Sequence, residues 1–119
     1  MSEYDSNNIL AKILLSEIPC KKIYEDDDVL CFEDVAQAAP VHLLVIPKQR
    51  YTCFEDFVQN ANPIYVANFF TTIAKIAQNQ GVNKTGYRLV TNNGGGVGQT
   101  IFHFHIHLLA GKKMTGLAL

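Results

Sequence analysis

The chain has 119 residues, 48% of them apolar and 18% charged, which suits one globular domain with its own core and is too short for two. Its formal net charge of −1 supplies no basic field, which excludes non-specific nucleic-acid binding as a role. No apolar run reaches the length of a membrane span, and the polar, acidic N-terminus is unlike an ordinary signal peptide, so the expectation is a cytoplasmic protein with no membrane partner.

In chain order, residues 1–7 read as a disordered segment ahead of a single domain over 8–119. Asn7 or Asn8 is a candidate cap for a helix with the apolar stripe Ile9, Leu10, Ile13 and Leu14, ended by Pro19. Lys22 to Glu25 reads as a strand, Asp26-Asp27-Asp28 as a turn, and Val29 to Asp34 as the returning strand. Pro40 separates this from a third strand, Val41 to Ile46, which stops at Pro47. Thr52 and Glu55 have capping-box spacing for a short helical turn from Phe54 to Val58.

The clearest helix follows, capped by Asn62, with Pro63 in its first turn and Gly81 at its end. Its residues Val66, Phe69, Phe70, Ile73, Ile76 and Ala77 recur at three- and four-residue steps and form a core-packing stripe. Tyr87 to Thr91 and Phe102 to Ala110 read as the fourth and fifth strands. One long helix crossing between the third and fourth strands gives an α+β domain on a five-stranded antiparallel sheet, with one or two short helices besides. Cys20, Cys31 and Cys53 are odd in number and widely spaced, without a Cys-x-x-Cys pair, which fits reduced thiols.

The chemistry concentrates in two adjoining stretches. His103, His105 and His107 alternate with Phe102, Phe104, Ile106 and Leu108. In an extended strand, positions i and i+2 share a face about 6.7 Å apart, so the apolar set points to the core and the imidazoles line the other side. A row of groups that titrate near neutral pH suits nucleophilic, acid–base or metal work. The outer two rings start roughly 13 Å apart by strand rise, too far to converge easily on one ion at bond lengths of about 2.0–2.1 Å. Immediately upstream, Gly94-Gly95-Gly96-Val97-Gly98 packs four glycines into five positions, a composition that lets an anion approach the main chain closely.

Asn92, Gly98-Gln99-Thr100 and His103-Phe104-His105-Ile106-His107-Leu108-Leu109 resemble the histidine triad (HIT) family, whose signature is His-φ-His-φ-His-φ-φ with φ apolar. The resemblance extends upstream through Ser16-Glu17-Ile18-Pro19, Tyr24-Glu25-Asp26, Phe32-Glu33-Asp34 and Ala39-Pro40-Val41-His42-Leu43-Leu44-Val45-Ile46-Pro47-Lys48, and it looks closest to the Hint branch of nucleotide-binding phosphoramidases. It implies a homodimer whose sheets join into one larger sheet. It also implies metal-independent cleavage of the P–N bond in purine nucleoside phosphoramidates, through a covalent nucleotidyl-histidine and without a cofactor.

The same resemblance assigns roles. His105 is the nucleophile, His107 and His42 flank the phosphate, and His103 orients its neighbour. Thr100 serves the departing amine. Asn92 with the backbone of Gly98, Gln99 and Thr100 holds phosphate oxygens. Asp34 accepts from the ribose hydroxyls, since a carboxylate has two oxygens to offer. Ile9, Leu10, Ile18, Phe32 and Ile23 line an apolar base slot. Asn8-Ile9-Leu10-Ala11 stands where many bacterial relatives have zinc-binding cysteines, so no structural zinc is carried over. The C-terminus, Lys112 to Leu119, lacks the Trp- and Pro-containing tail of many relatives, which leaves the leaving group open. Three rival readings stay open: cleavage of dinucleoside polyphosphates or nucleotidyl transfer at the same site, a nucleotide-sensing adaptor, and a metalloprotein on the three strand histidines.

Overall fold

The computed structural model describes residues 3–117. A short helix, α1 (Ile9–Leu14), precedes three strands, β1 (Lys22–Glu25), β2 (Val29–Glu33) and β3 (Val41–Pro47). Two helices follow, α2 (Phe54–Asn60) and α3 (Pro63–Asn79), then β4 (Arg88–Val90), a single 3-10 turn (Gly95–Val97) and β5 (Ile106–Ala110). The five strands form one sheet in the order β1-β2-β3-β5-β4, antiparallel at every junction.

Local chemistry explains most of the boundaries. Asn8 caps α1 by accepting from the Ala11 N–H at 2.8 Å, and Asn62 caps α3 by accepting from Ile64 N–H at 2.8 Å. Gly81, at φ +76°, takes the left-handed conformation that lets the Val82 N–H reach back to Ala77 O and close α3. In the β1–β2 turn, Asp26 Oδ1 accepts from the N–H groups of Asp28 and Val29, each at 2.8 Å. The start of α2 differs from expectation. Its cap residue is Cys53, and the reaching acid is Asp56, whose carboxylate accepts from the Thr52 N–H at 2.8 Å, in place of the Thr52/Glu55 pairing.

The sheet divides two cores. On one face Val45, Leu43, Ile106 and Leu108 pack against Phe69, Ile73 and Ile76 of α3. On the other, Leu30, Phe32, Leu44 and Ile46 pack beneath Leu10 of α1. Alternation along β3 puts His42, Leu44 and Ile46 together on the α1 side.

Two expectations need correction. The fifth strand begins at Ile106 and not at Phe102. The β3–β5 register, Val45 opposite Ile106, would bring Phe104 opposite Pro47, and proline has no N–H to continue the ladder. Phe104 O would thus have no ladder donor, and the chain leaves the sheet: Phe104 N–H donates to Tyr51 O, at 2.6 Å, and Phe102 points out into solvent. The disorder expected over residues 1–7 does not describe residues 3–7 either. Tyr4 packs against Arg50 and hydrogen-bonds His103, Ser6 accepts from Arg50 at 3.0 Å, and Asp5 holds Asn7 and Asn8 in a turn that leads into α1. Residues 1 and 2 lie outside the described residues.

Phe57, Phe69 and Phe104 are wholly buried and meet in one aromatic cluster, with ring centroids 4.8–5.5 Å apart. This cluster ties α2 and α3 to the segment that carries the histidines. Phe57→Ala removes the middle ring from a close-packed site and is expected to lower unfolding free energy by about 3–5 kcal/mol, as read from the urea midpoint.

Candidate functional site

β3 and β5 bring two of the four histidines into contact. His42 lies opposite Leu109 and His107 opposite Leu44, so the rings are diagonal neighbours on the α1 face. His42 Nε2 is 2.9 Å from His107 Nδ1 and 3.3 Å from Asp34 Oδ2. His105 follows the same face, its ring centroid 5.2 Å from that of His107.

Hydrogen-bond partners that can only donate or only accept fix the proton on every ring. The Ala38 N–H donates to His42 Nδ1 at 3.0 Å, so the His42 proton is on Nε2 and faces His107 Nδ1 and Asp34. His107 Nδ1 then accepts, and its own proton is on Nε2. His105 Nδ1 donates to the carbonyl oxygen of His103 at 2.7 Å, which leaves the His105 Nε2 lone pair bare. His103 Nε2 donates to Pro47 O at 2.8 Å, and its Nδ1 accepts from the Tyr4 hydroxyl at 2.6 Å.

Burial keeps the His103, His105 and His107 rings neutral. Desolvation pushes His103 down to about 4, only partly offset by its bond to Pro47 O. Desolvation, with the neighbouring His105 and His42, pushes His107 down to about 4 against the opposing pull of Asp34. His105 is likewise lowered, first by desolvation, with the His103 carbonyl and Asp34 acting the other way. At neutral pH the site thus holds a bare imidazole nitrogen on His105 beside an N–H donor on His107.

Asp34, His42 and His107 offer ligand atoms that all lie within 4.8 Å of one another, close enough to hold a metal ion by distance alone. The tautomers oppose that use. An ion on His42 Nε2 would move the ring proton to Nδ1, against the Ala38 N–H. Metal-bound histidines instead donate their second nitrogen to an acceptor. The arrangement suits hydrogen-bond donation better than metal ligation.

The glycine loop behaves differently from the expected backbone cradle. Gly98 N–H donates to Gly95 O at 3.2 Å and Gln99 N–H to Gly94 O at 3.1 Å, so both amides serve the loop's own 3-10 turn. The Gln99 side chain, buried, accepts from Gly94 N–H at 2.8 Å and donates to Thr52 O at 2.7 Å and Ile101 O at 3.0 Å. It pins the loop to the body of the domain. Thr100 is exposed and Asn92 half-buried. Gly98, at φ +101°, occupies a conformation that a side-chain-bearing residue adopts only with strain.

Beside the histidines, between α1 and the sheet, lies an apolar cavity of about 610 Å³ lined by Ile9, Leu10, Ile13, Ile18, Phe32, Leu44 and Ile101, with Asp34 among its polar residues. Four of the expected base-slot residues therefore share one cavity. Ile23 does not join them. The register shift between Lys22 and Tyr24 accompanies packing of Ile23 against the α3-side core. Sequence reasoning also missed Tyr4, whose contact with His103 spans 99 residues and leaves no local pattern, and the structural use of the Gln99 side chain. Among the described residues, no helix is long and apolar enough to cross a membrane.

The HIT domain profile matches residues 15–114. A HIT-like protein of Rickettsia prowazekii, itself uncharacterised, is 48% identical, the match covering 96% of this chain and 95% of that one. The fold is similar to that of a histidine triad protein from Clostridium difficile, with a TM-score of 0.86, 39% identity, and coverage of 98% of this chain and 100% of that one. A HIT family hydrolase from Legionella pneumophila superposes with a TM-score of 0.85 at 40% identity, covering 92% of this chain and 96% of the other.

The lowered histidines make stability depend on pH. In the unfolded chain these rings protonate near 6.5, whereas His103 and His107 stay neutral in the fold down to about 4. Between those values the unfolded state binds more protons, so stability is fully present above about pH 6.5 and falls as pH drops toward 4. The slope approaches about 1.4 kcal/mol per pH unit for each such ring. Urea midpoints measured from pH 7 to pH 4 should show this fall, and His103→Gln should flatten it.

Proposed function

Because the chain belongs to the HIT domain family, we propose that it is a hydrolase of the Hint type that cleaves the P–N bond of purine nucleoside phosphoramidates. The base enters the apolar cavity beside α1, the ribose hydroxyls donate to Asp34, and the phosphate lies over His105. The single observation that carries this reading is the bond from His105 Nδ1 to the His103 carbonyl, at 2.7 Å, which leaves Nε2 unprotonated and available for attack.

In the first step the His105 Nε2 lone pair forms a bond to phosphorus and the P–N bond breaks. The departing nitrogen takes a proton from water relayed through the Thr100 hydroxyl and leaves as the amine, while His107 Nε2–H donates a hydrogen bond to the phosphate. Asn92 and Thr100 hold the phosphate oxygens, while Gly98 and Gln99 shape the loop that presents Thr100. In the second step water attacks the nucleotidyl-imidazole and loses its proton to solvent, and the His105–phosphorus bond breaks to release the nucleoside monophosphate. The His42 Nε2–H bond to His107 Nδ1 keeps His107 in the tautomer that donates from Nε2. No step requires a metal or cofactor.

We also propose that the protein works as a homodimer. β4 is a sheet edge of three residues with Leu89 exposed, and α3 presents Ile64 to solvent, so a second copy would extend the sheet and cover both. Sedimentation at micromolar concentration should give a particle of twice the chain mass, and a clean monomer would remove this part of the reading.

His105→Ala should lower turnover of an adenosine phosphoramidate by several orders of magnitude while nucleotide still binds, because the cavity and Asp34 remain. His103→Ala should be milder and His107→Ala intermediate. Rapid acid-free quenching of the wild type with radiolabelled substrate should trap a nucleotidyl-protein adduct that His105→Ala does not form. Near-wild-type turnover by His105→Ala would refute the nucleophile assignment, and faster cleavage of a diadenosine polyphosphate would move the substrate class to P–O–P links.

A further inference from the structure

The N-terminal arm has no part in the steps above, yet it reaches the back of the triad. We propose that Tyr4 is a positioning residue of the reaction: its hydroxyl holds the His103 ring in the tautomer and orientation from which the His103 carbonyl sets the nucleophile. This rests on the assignment of His105 as nucleophile.

The argument begins with the backbone. His105 precedes β5, so the peptides from Phe102 to His105 have no place in the sheet ladder. Bonds to main-chain atoms of that stretch from outside it include Phe104 N–H to Tyr51 O at 2.6 Å and Thr91 Oγ1 to His105 O at 2.9 Å. Neither holds the His103 carbonyl, which is the atom that fixes the His105 tautomer. That carbonyl is placed by its own residue's ring, which is fully buried and tethered at both nitrogens.

One tether, Pro47 O, is backbone and belongs to β3. The other is the Tyr4 hydroxyl, 2.6 Å from Nδ1. Pro47 O can only accept, so His103 carries its proton on Nε2 and needs a donor at Nδ1. Tyr4 supplies it. Without that donor, a buried nitrogen is left unpaired, which is costly. The ring then gains by turning, by exchanging tautomers or by taking up a proton, and each change disturbs the bond to Pro47 and the peptide beside His105.

The arm is built to deliver this group. The Arg50 guanidinium lies 5.4 Å from the Tyr4 ring centroid and donates to Ser6 Oγ at 3.0 Å. Asn7 N–H donates to Asp5 Oδ1 at 2.9 Å and Asn8 Nδ2 to Asp5 O at 2.7 Å, which joins the arm to the cap of α1. A tyrosine that only covered the core would keep its hydroxyl in water. This one points at a buried nitrogen.

The test compares wild type with Tyr4→Phe, which keeps the ring and its packing on Arg50. Long-range proton–nitrogen spectra of the imidazoles are recorded at neutral pH, alongside steady-state turnover of an adenosine phosphoramidate. In the wild type, His103 Nδ1 should appear as an unprotonated, hydrogen-bonded acceptor. In Tyr4→Phe that resonance should move, His105 should lose its uniform Nδ1–H tautomer, and kcat should fall roughly tenfold with KM changed by less than about twofold. An unchanged His103 resonance, or a changed resonance with unchanged kcat, overturns the proposal. If Tyr4→Phe does not fold, the wild-type spectrum decides, because a proton on His103 Nδ1 is incompatible with the role. If the wild type cleaves no phosphoramidate, the proposed reaction fails, while the His103 and His105 spectra still judge Tyr4 separately.

Discussion

The imino nitrogen of Pro47 cannot donate a sheet hydrogen bond, and the functional end of the domain is organised around that gap. Up to Val45 and Ile106 the β3–β5 ladder is regular and holds His42 against His107 by register. One step further the ladder has no donor. The chain that would have continued the strand turns instead, so that Phe104 enters the aromatic cluster while the His103 ring swings in to use the vacant Pro47 carbonyl. The nucleophile candidate thus stands on irregular backbone held by side chains, beside two histidines and an aspartate on rigid strands or their ends. Such mixed support is common where a group must be aimed at a ligand rather than packed.

Burial and hydrogen-bond direction then act together. Removing the rings from water favours their neutral forms, and a neutral imidazole always has one donor and one acceptor nitrogen. Each acceptor or donor around the site selects which is which. The Ala38 amide acts on His42, His42 on His107, and the His103 carbonyl on His105. No buried side-chain nitrogen or oxygen among the described residues lacks a partner, so the network is satisfied. This matters for the proposed attack on phosphorus, because an uncharged nitrogen with a free lone pair is the form that attacks.

Much of this was legible in the chain. Asn8, Asn62 with Pro63, Asp26 and Gly81 mark element ends through bonds within a few residues of themselves, and those ends are where the structure has them. The alternation through the triad correctly assigned Phe104, Ile106 and Leu108 to one core, since period-two geometry survives even where the ladder does not. Phe102 failed because it lies past the last paired residue. Ile23 failed because a register shift is a property of two strands and not of one. The resemblance gave the Gly98 and Gln99 amides to phosphate, but a glycine-rich turn can satisfy its own N–H groups.

Sequence by itself determined most of the elements, the family and the residue types of the candidate site, because capping, periodicity and the spacing of the histidines are local and survive without a partner strand. Only the tertiary structure decided which nitrogen of each ring carries its proton, that Asp34 and His42 meet, and that Tyr4 reaches His103 across 99 residues. Those facts depend on contacts made when distant segments pack. A ring's tautomer is chosen by whatever donor or acceptor folding brings to it, and nothing in the order of residues along the chain encodes that choice directly.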